Sequence, residues 1–90
     1  MEIAKQIEMA ELLVKGLGTA VLTLRLRLGM SQDELCRLTG LNKSLIVRLE
    51  HGLMDIEILT LQKLSVALRV SPGELMEMAE AEVGMVRTPA

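Results

Sequence analysis

The chain has 90 residues, 50% of them hydrophobic and none aromatic, with 10 basic and 12 acidic side chains for a formal net charge of −2. That length accommodates one domain with its own core. It excludes a disulfide-stapled scaffold, because Cys36 has no second cysteine to pair with, and a spanning segment, because no apolar run approaches roughly 20 residues.

Without Phe, Tyr or Trp, the core must be built from Leu, Ile, Val, Met and Ala, which favours helices over strands. Met1-Glu2-Ile3-Ala4-Lys5 lacks a signal-peptide layout, so a cytoplasmic protein is expected. The charge is unevenly spread. Residues 16–73 hold 7 basic against 5 acidic side chains, whereas residues 74–90 hold Arg87 against Glu74, Glu77, Glu80 and Glu82. The middle of the chain is mildly basic, a thin footprint for phosphate.

In chain order, residues 2–15 predict an amphipathic helix, with Ile3, Ile7, Ala10 and Val14 at helical spacing. This stripe serves either intramolecular packing or a dimer contact. Gly16-Leu17-Gly18 is read as an interruption, followed by a helix from Thr19 to Leu28 that ends at Gly29. Ser31 with Glu34 predicts a capping box opening a helix over Gln32–Thr39. Gly40 suits the left-handed turn that follows, and Asn42 is a preferred cap for a helix over Lys43–Glu50. Leu35, Leu38, Leu41, Ile46 and Leu49 are expected to converge on one small core between these two helices. A loop through His51-Gly52-Leu53-Met54-Asp55 leads to a helix over Ile58–Leu68, striped by Leu61, Leu64 and Leu68. Ser71-Pro72-Gly73-Glu74 predicts a second capping box with proline at the first helical position, opening a last helix that runs to about Glu82. Residues 83–90 read as a frayed tail.

Two short helices joined by a tight turn, the second projecting as a rod, have the form of a helix-turn-helix. From Leu17 to Leu75 the chain resembles the Cro/CI-like (XRE-type) helix-turn-helix family of phage repressors and bacterial regulators. The residues carrying the resemblance are Gly18, Leu24-Arg25, Gly29-Met30-Ser31-Gln32, Glu34-Leu35, Gly40-Leu41, Ile46, Leu49-Glu50, Gly52, Thr60-Leu61, Lys63-Leu64, Ala67-Leu68 and Val70-Ser71. The resemblance implies an all-α, compact five-helix lambda-repressor-like DNA-binding domain over residues 17–82. Residues 1–16 would then be an additional N-terminal helix for packing or dimerisation.

It also implies a sequence-specific regulator, a homodimeric repressor that reads a near-palindromic operator in double-stranded DNA. Gln32 matches a residue that contacts phosphate and packs beside the reading helix. Lys43, Ser44 and Arg48 match positions facing bases or nearby phosphates, and arginine makes the commonest specific contact to guanine. Asn42, Val47 and His51 complete the expected contact set, His51 toward a phosphate. Arg25 and Glu50 match a structural ion pair tying the first helix of the domain to the end of the reading helix.

The chain departs from the family in its apolar residues. Leu45 and Val47 stand on the reading helix and Leu53-Met54 in the loop after it, where polar or basic residues are usual. These four motivate a rival reading, a protein-interaction module on the same fold that binds a partner such as a toxin. Leu22 and Leu26 replace residues that are usually charged, which suggests a surface for the N-terminal helix or for a second subunit. Cys36 is expected as a small core residue, and Met76, Met78 and Met85 as candidates for a soft dimer surface. A lone histidine, no metal-ligand cluster and no glycine-rich phosphate loop leave neither catalytic machinery nor a metal or cofactor to expect.

Overall fold

A computed structural model describes residues 2–84. Its five helices are α1 (Ile3–Arg27), α2 (Gln32–Thr39), α3 (Lys43–Glu50), α4 (Ile58–Ala67) and α5 (Pro72–Glu82), with no strand among the described residues. No helix among them is long and apolar enough to cross a membrane. The short elements begin and end where the cap chemistry places them. Ser31 Oγ accepts from the Glu34 amide at 3.0 Å, Asn42 Oδ1 from the Leu45 amide at 2.8 Å, and Ser71 Oγ from the Glu74 amide at 3.0 Å.

Only one of the two predicted capping boxes closes fully. The Glu74 carboxylate returns to the Ser71 amide at 3.0 Å, an interaction that holds its pKa below the usual carboxylate value. The Glu34 carboxylate instead turns along its own helix to Arg37, with Oε1–Nη2 at 2.6 Å. A guanidinium one turn away outcompetes a single backbone N–H for the carboxylate, because a charged donor makes the stronger bond. Arg37 accordingly lowers the Glu34 pKa.

The core joins all five helices through Leu17, Val21 and Leu24 of α1, Leu35 of α2, Ile46 and Leu49 of α3, Leu61 and Leu64 of α4, and Leu75 and Ala79 of α5. Each buried Leu or Ile contributes about 1.5–3 kcal/mol by leaving water. Leu41 and Cys36 pack half-buried at its edge. Leu38 does not join it and is 46% exposed. An eight-residue helix has one buried stripe here, through Leu35 and Thr39, and Leu38 lies to its side.

The predicted break at Gly16-Leu17-Gly18 is absent. One helix runs 25 residues from Ile3 to Arg27, so the boundary expected between residues 16 and 17 falls inside it. The two glycines answer a packing requirement instead. A Cβ at Gly16 would overlap the Ala79 carbonyl oxygen of α5, and one at Gly18 would overlap the Leu49 carbonyl oxygen of α3. With α1 continuous, its N-terminal part cannot fold back over Leu22 and Leu26, and Leu26 stays exposed. Much of the Ile3–Val14 stripe is likewise unburied, Ile3 at 73% and Ile7 at 54%. Of the expected tail, Val83 caps α5 and Gly84 follows it, whereas residues 85–90, including Met85, lie outside the described residues.

The two readings of Gly16 predict opposite signs. If it merely weakened a helix, Gly16→Ala would stabilise the protein by about 1 kcal/mol. Because α5 backbone fills the space, the substitution should instead destabilise it by about 1–3 kcal/mol, lowering Tm by roughly 5–20 °C in a thermal melt.

Candidate nucleic-acid interface

The α2–α3 unit is fixed by polar groups as much as by leucines. The Thr39 hydroxyl, buried at the end of α2, donates to the Leu35 carbonyl at 2.7 Å and accepts from the Leu41 amide at 3.2 Å. Gly40 follows at φ +74°, a left-handed conformation that costs glycine no Cβ clash, and its amide closes on the Cys36 carbonyl at 2.8 Å. The chain thereby reverses within three residues and delivers Asn42 to cap α3.

At its other end, α3 is tied to the body by a buried ion pair. Arg25 Nε lies 2.6 Å from Glu50 Oε2 and Nη2 lies 3.0 Å from Oε1, with both side chains under 10% exposed. The third guanidinium nitrogen donates to the Met30 carbonyl at 2.9 Å, and the Gln32 amide donates to Glu50 Oε1 at 3.0 Å. One cluster therefore holds the end of α1, the start of α2 and the end of α3. The planar fork of arginine fixes direction as well as distance.

The N-terminal end of α3 is left open. Asn42, Lys43, Ser44 and Arg48 are exposed, and Val47 is half-buried. Here the free backbone N–H groups and the positive end of the helix dipole favour an anion. Lys43 Nζ lies 3.2 Å from Asp33 Oδ1, a solvent-exposed pair between the first turns of α2 and α3. Arg48 Nε lies 3.4 Å from the Ser44 carbonyl, one turn back along the helix, and its remaining guanidinium nitrogens have no partner among the described residues. His51 caps the far end of α3, with Nδ1 2.7 Å from the Val47 carbonyl.

The residues singled out in the sequence thus fall in three places. Lys43, Ser44, Val47 and Arg48 share the outer side of α3, with Asn42 at its start. Gln32 stands apart at the opening of α2, half-buried, with one amide N–H spent on Glu50 and the other unpaired among the described residues. His51 sits at the opposite end of α3 from Lys43. Asp33 was not foreseen, since nothing in linear spacing brings it beside Lys43.

The apolar patch is less continuous than the sequence suggests. Leu45 and Met54 pack against the core, Val47 is half-buried, and only Leu53 of the four is fully exposed, at 73%.

Removing one partner of the buried pair should be costly and removing both should not. Glu50→Ala leaves Arg25 buried and uncompensated, for an expected loss of about 3–5 kcal/mol in denaturant unfolding. Arg25→Met combined with Glu50→Leu should recover most of that loss while releasing the fixed orientation of α3.

Comparisons with known proteins agree with this geometry. A family model described as helix-turn-helix matches residues 21–75, more than half of the chain. Among solved structures, the restriction-modification controller protein C.AhdI from Aeromonas hydrophila is 36% identical with a TM-score of 0.65, over 70% of this chain and 94% of that one. The clp gene regulator ClgR from Corynebacterium glutamicum superposes with a TM-score of 0.77 at 22% identity, over 81% of this chain and 78% of that one, and supports the fold. A comparison with curated proteins returns no match. With the capped α2–α3 unit and the Arg25–Glu50 clamp in place, the match settles the family: the chain belongs to the XRE-type helix-turn-helix family of DNA-binding transcriptional regulators and is not an enzyme.

Proposed function

We propose that the protein is a homodimeric repressor acting in the cytoplasm, which reads a near-palindromic operator through α3. The observation that carries this reading is the asymmetry of α3. Its C-terminal end is locked by Glu50 to Arg25 and Gln32, whereas its N-terminal end presents Lys43 and Ser44 to solvent, with Arg48 exposed one turn further along the same outer side. A rod held at one end and open at the other suits insertion into a major groove, with the first residues of the helix meeting base edges. Two such rods about one helical turn apart would occupy successive grooves, and repression would follow from occupancy of a promoter.

Within this reading Arg48 contacts a base, guanine by preference. Lys43 contacts phosphate, and the spare N–H of Gln32 a second phosphate beside it. Asn42, Ser44, Val47 and His51 complete the surface, His51 at its edge. The interaction-module alternative draws less support, because Leu45 and Met54 are partly buried against the core and only Leu53 of the four apolar residues is largely exposed. The C.AhdI controller, whose name places it in the control of restriction-modification, is the relative whose identity favours a regulatory role here.

The charge arrangement sets quantitative expectations. With Lys43 and Arg48 as the cations on each reading face, a dimer should show a salt dependence of log K against log salt of roughly −2 to −4, shallow for a DNA binder. Duplexes selected from a random pool supply the operator. On it, Arg48→Ala should relax preference at one base pair per half-site, at a cost of about 1–3 kcal/mol per contact. Asp33→Asn should tighten binding about two- to fivefold, because Lys43 no longer has to leave a carboxylate to reach phosphate. Unchanged base preference in the first variant, together with unchanged affinity in the second, would remove α3 as the reader.

A further inference from the structure

The outer side of α3 is polar with one exception. Helical spacing puts Val47 one turn after Lys43 and Ser44 and one turn before His51. The core accounts for the other apolar residues of the helix: Ile46 and Leu49 are fully buried, and Leu45 packs against the core from its edge. Val47 is half-buried, yet it is not among the side chains packed on that core. Helix stability does not explain it either, since a β-branched residue is a poorer helix former than the alanine, lysine or glutamine that an outer position accepts.

We propose that Val47 is a specificity-determining residue that reads the C5 methyl group of a thymine. This deepens the reading of α3 as the DNA-facing helix and rests on it. Among the groups that base edges present in the major groove, the thymine methyl is the apolar substituent, whereas the rest donate or accept hydrogen bonds. A side chain without a polar atom on a groove-facing surface therefore has one chemical match there.

The surroundings fit a contact of that size. Lys43 Nζ turns to Asp33 at 3.2 Å and Arg48 Nε to the Ser44 carbonyl at 3.4 Å, while the His51 ring is anchored to the Val47 carbonyl at 2.7 Å. Val47 is thus an isolated apolar spot among polar neighbours, too small to dock a protein and large enough to cover a methyl. Its stiffness helps. A β-branched side chain in a helix keeps essentially one χ1 rotamer, so little freedom is lost when the methyl seats against it.

Two spacings place the thymine. The helix rises about 1.5 Å per residue, and base pairs stack about 3.4 Å apart. Val47 and Arg48 are adjacent, so the thymine lies within about two base pairs of the guanine that Arg48 reads. A methyl contact releases no counterions, so its salt dependence separates it from the contacts of Lys43 and Arg48.

Replacing thymine by deoxyuridine removes that methyl and leaves the base pair intact, which gives a test on the DNA side with the full chain unaltered. On operator duplexes selected from a random pool, replacement of one particular thymine per half-site should weaken binding about three- to fivefold, and roughly 10- to 20-fold when both half-sites are changed. The loss should be the same at about 50 and about 200 mM salt. Val47→Ala should lose a similar amount on the thymine operator and nothing further on the deoxyuridine operator, with a thermal melt showing that the variant is folded at the assay temperature. Equal binding of the thymine and the fully deoxyuridine-substituted operators by the wild type overturns the proposal, as does a deoxyuridine loss that persists undiminished in Val47→Ala. Both of those outcomes leave α3 as the reader. A wild type that binds no duplex even at low salt contradicts the DNA reading itself, and the assignment of Val47 falls with it.

Discussion

The buried pair between Arg25 and Glu50 is the constraint on which the rest of the arrangement depends. Two charges withdrawn from water cost several kcal/mol, and their attraction returns that only when every hydrogen-bonding group is matched. Here the matching is complete: the Arg25 guanidinium reaches Glu50 twice and Met30 once, and Gln32 completes the carboxylate. What the cluster adds beyond stability is direction. The apolar side chains of Leu35, Ile46 and Leu49 would hold two helices together over a range of angles, whereas a planar fork on a carboxylate holds them at one.

That direction places the open end of α3. Asn42 satisfies the first turn, Gly40 and Thr39 compress the preceding turn, and Gly18 lets α1 come against the carbonyl of Leu49. Gly52, at φ +68°, ends the approach, since a side chain there would meet Lys15. Helix α3 is thus gripped along its C-terminal half by backbone-close contacts and left exposed to solvent at Lys43 and Ser44. Sequence, packing and electrostatics converge on a helix presented rather than buried.

Much of this was legible in the sequence because it is local. Caps, turns and short amphipathic stretches depend on residues within four of each other, so α2, α3 and the start of α5 fall where Ser31, Asn42 and Ser71 place them. Long-range packing was not legible. Gly16 and Gly18 have the look of a helix break, and only the carbonyls of Ala79 and Leu49 reveal them as sites of close approach. The Lys43–Asp33 pair and the turn of Glu34 toward Arg37 likewise depend on where competing partners stand in space. Leu45 and Met54 looked outward in the sequence because helical spacing alone does not say which neighbour covers a side chain.

The central claim is that DNA meets this protein at the open end of α3. Amide chemical-shift mapping of the isotope-labelled chain, titrated with operator duplex, tests it most directly. The account predicts the largest changes at Asn42–Arg48 and at Gln32 and Asp33, with Leu53, Ile58 and the α1 stripe little affected by DNA contact. Changes concentrated on α1 and the Leu53–Ile58 segment, with α3 silent, would contradict it.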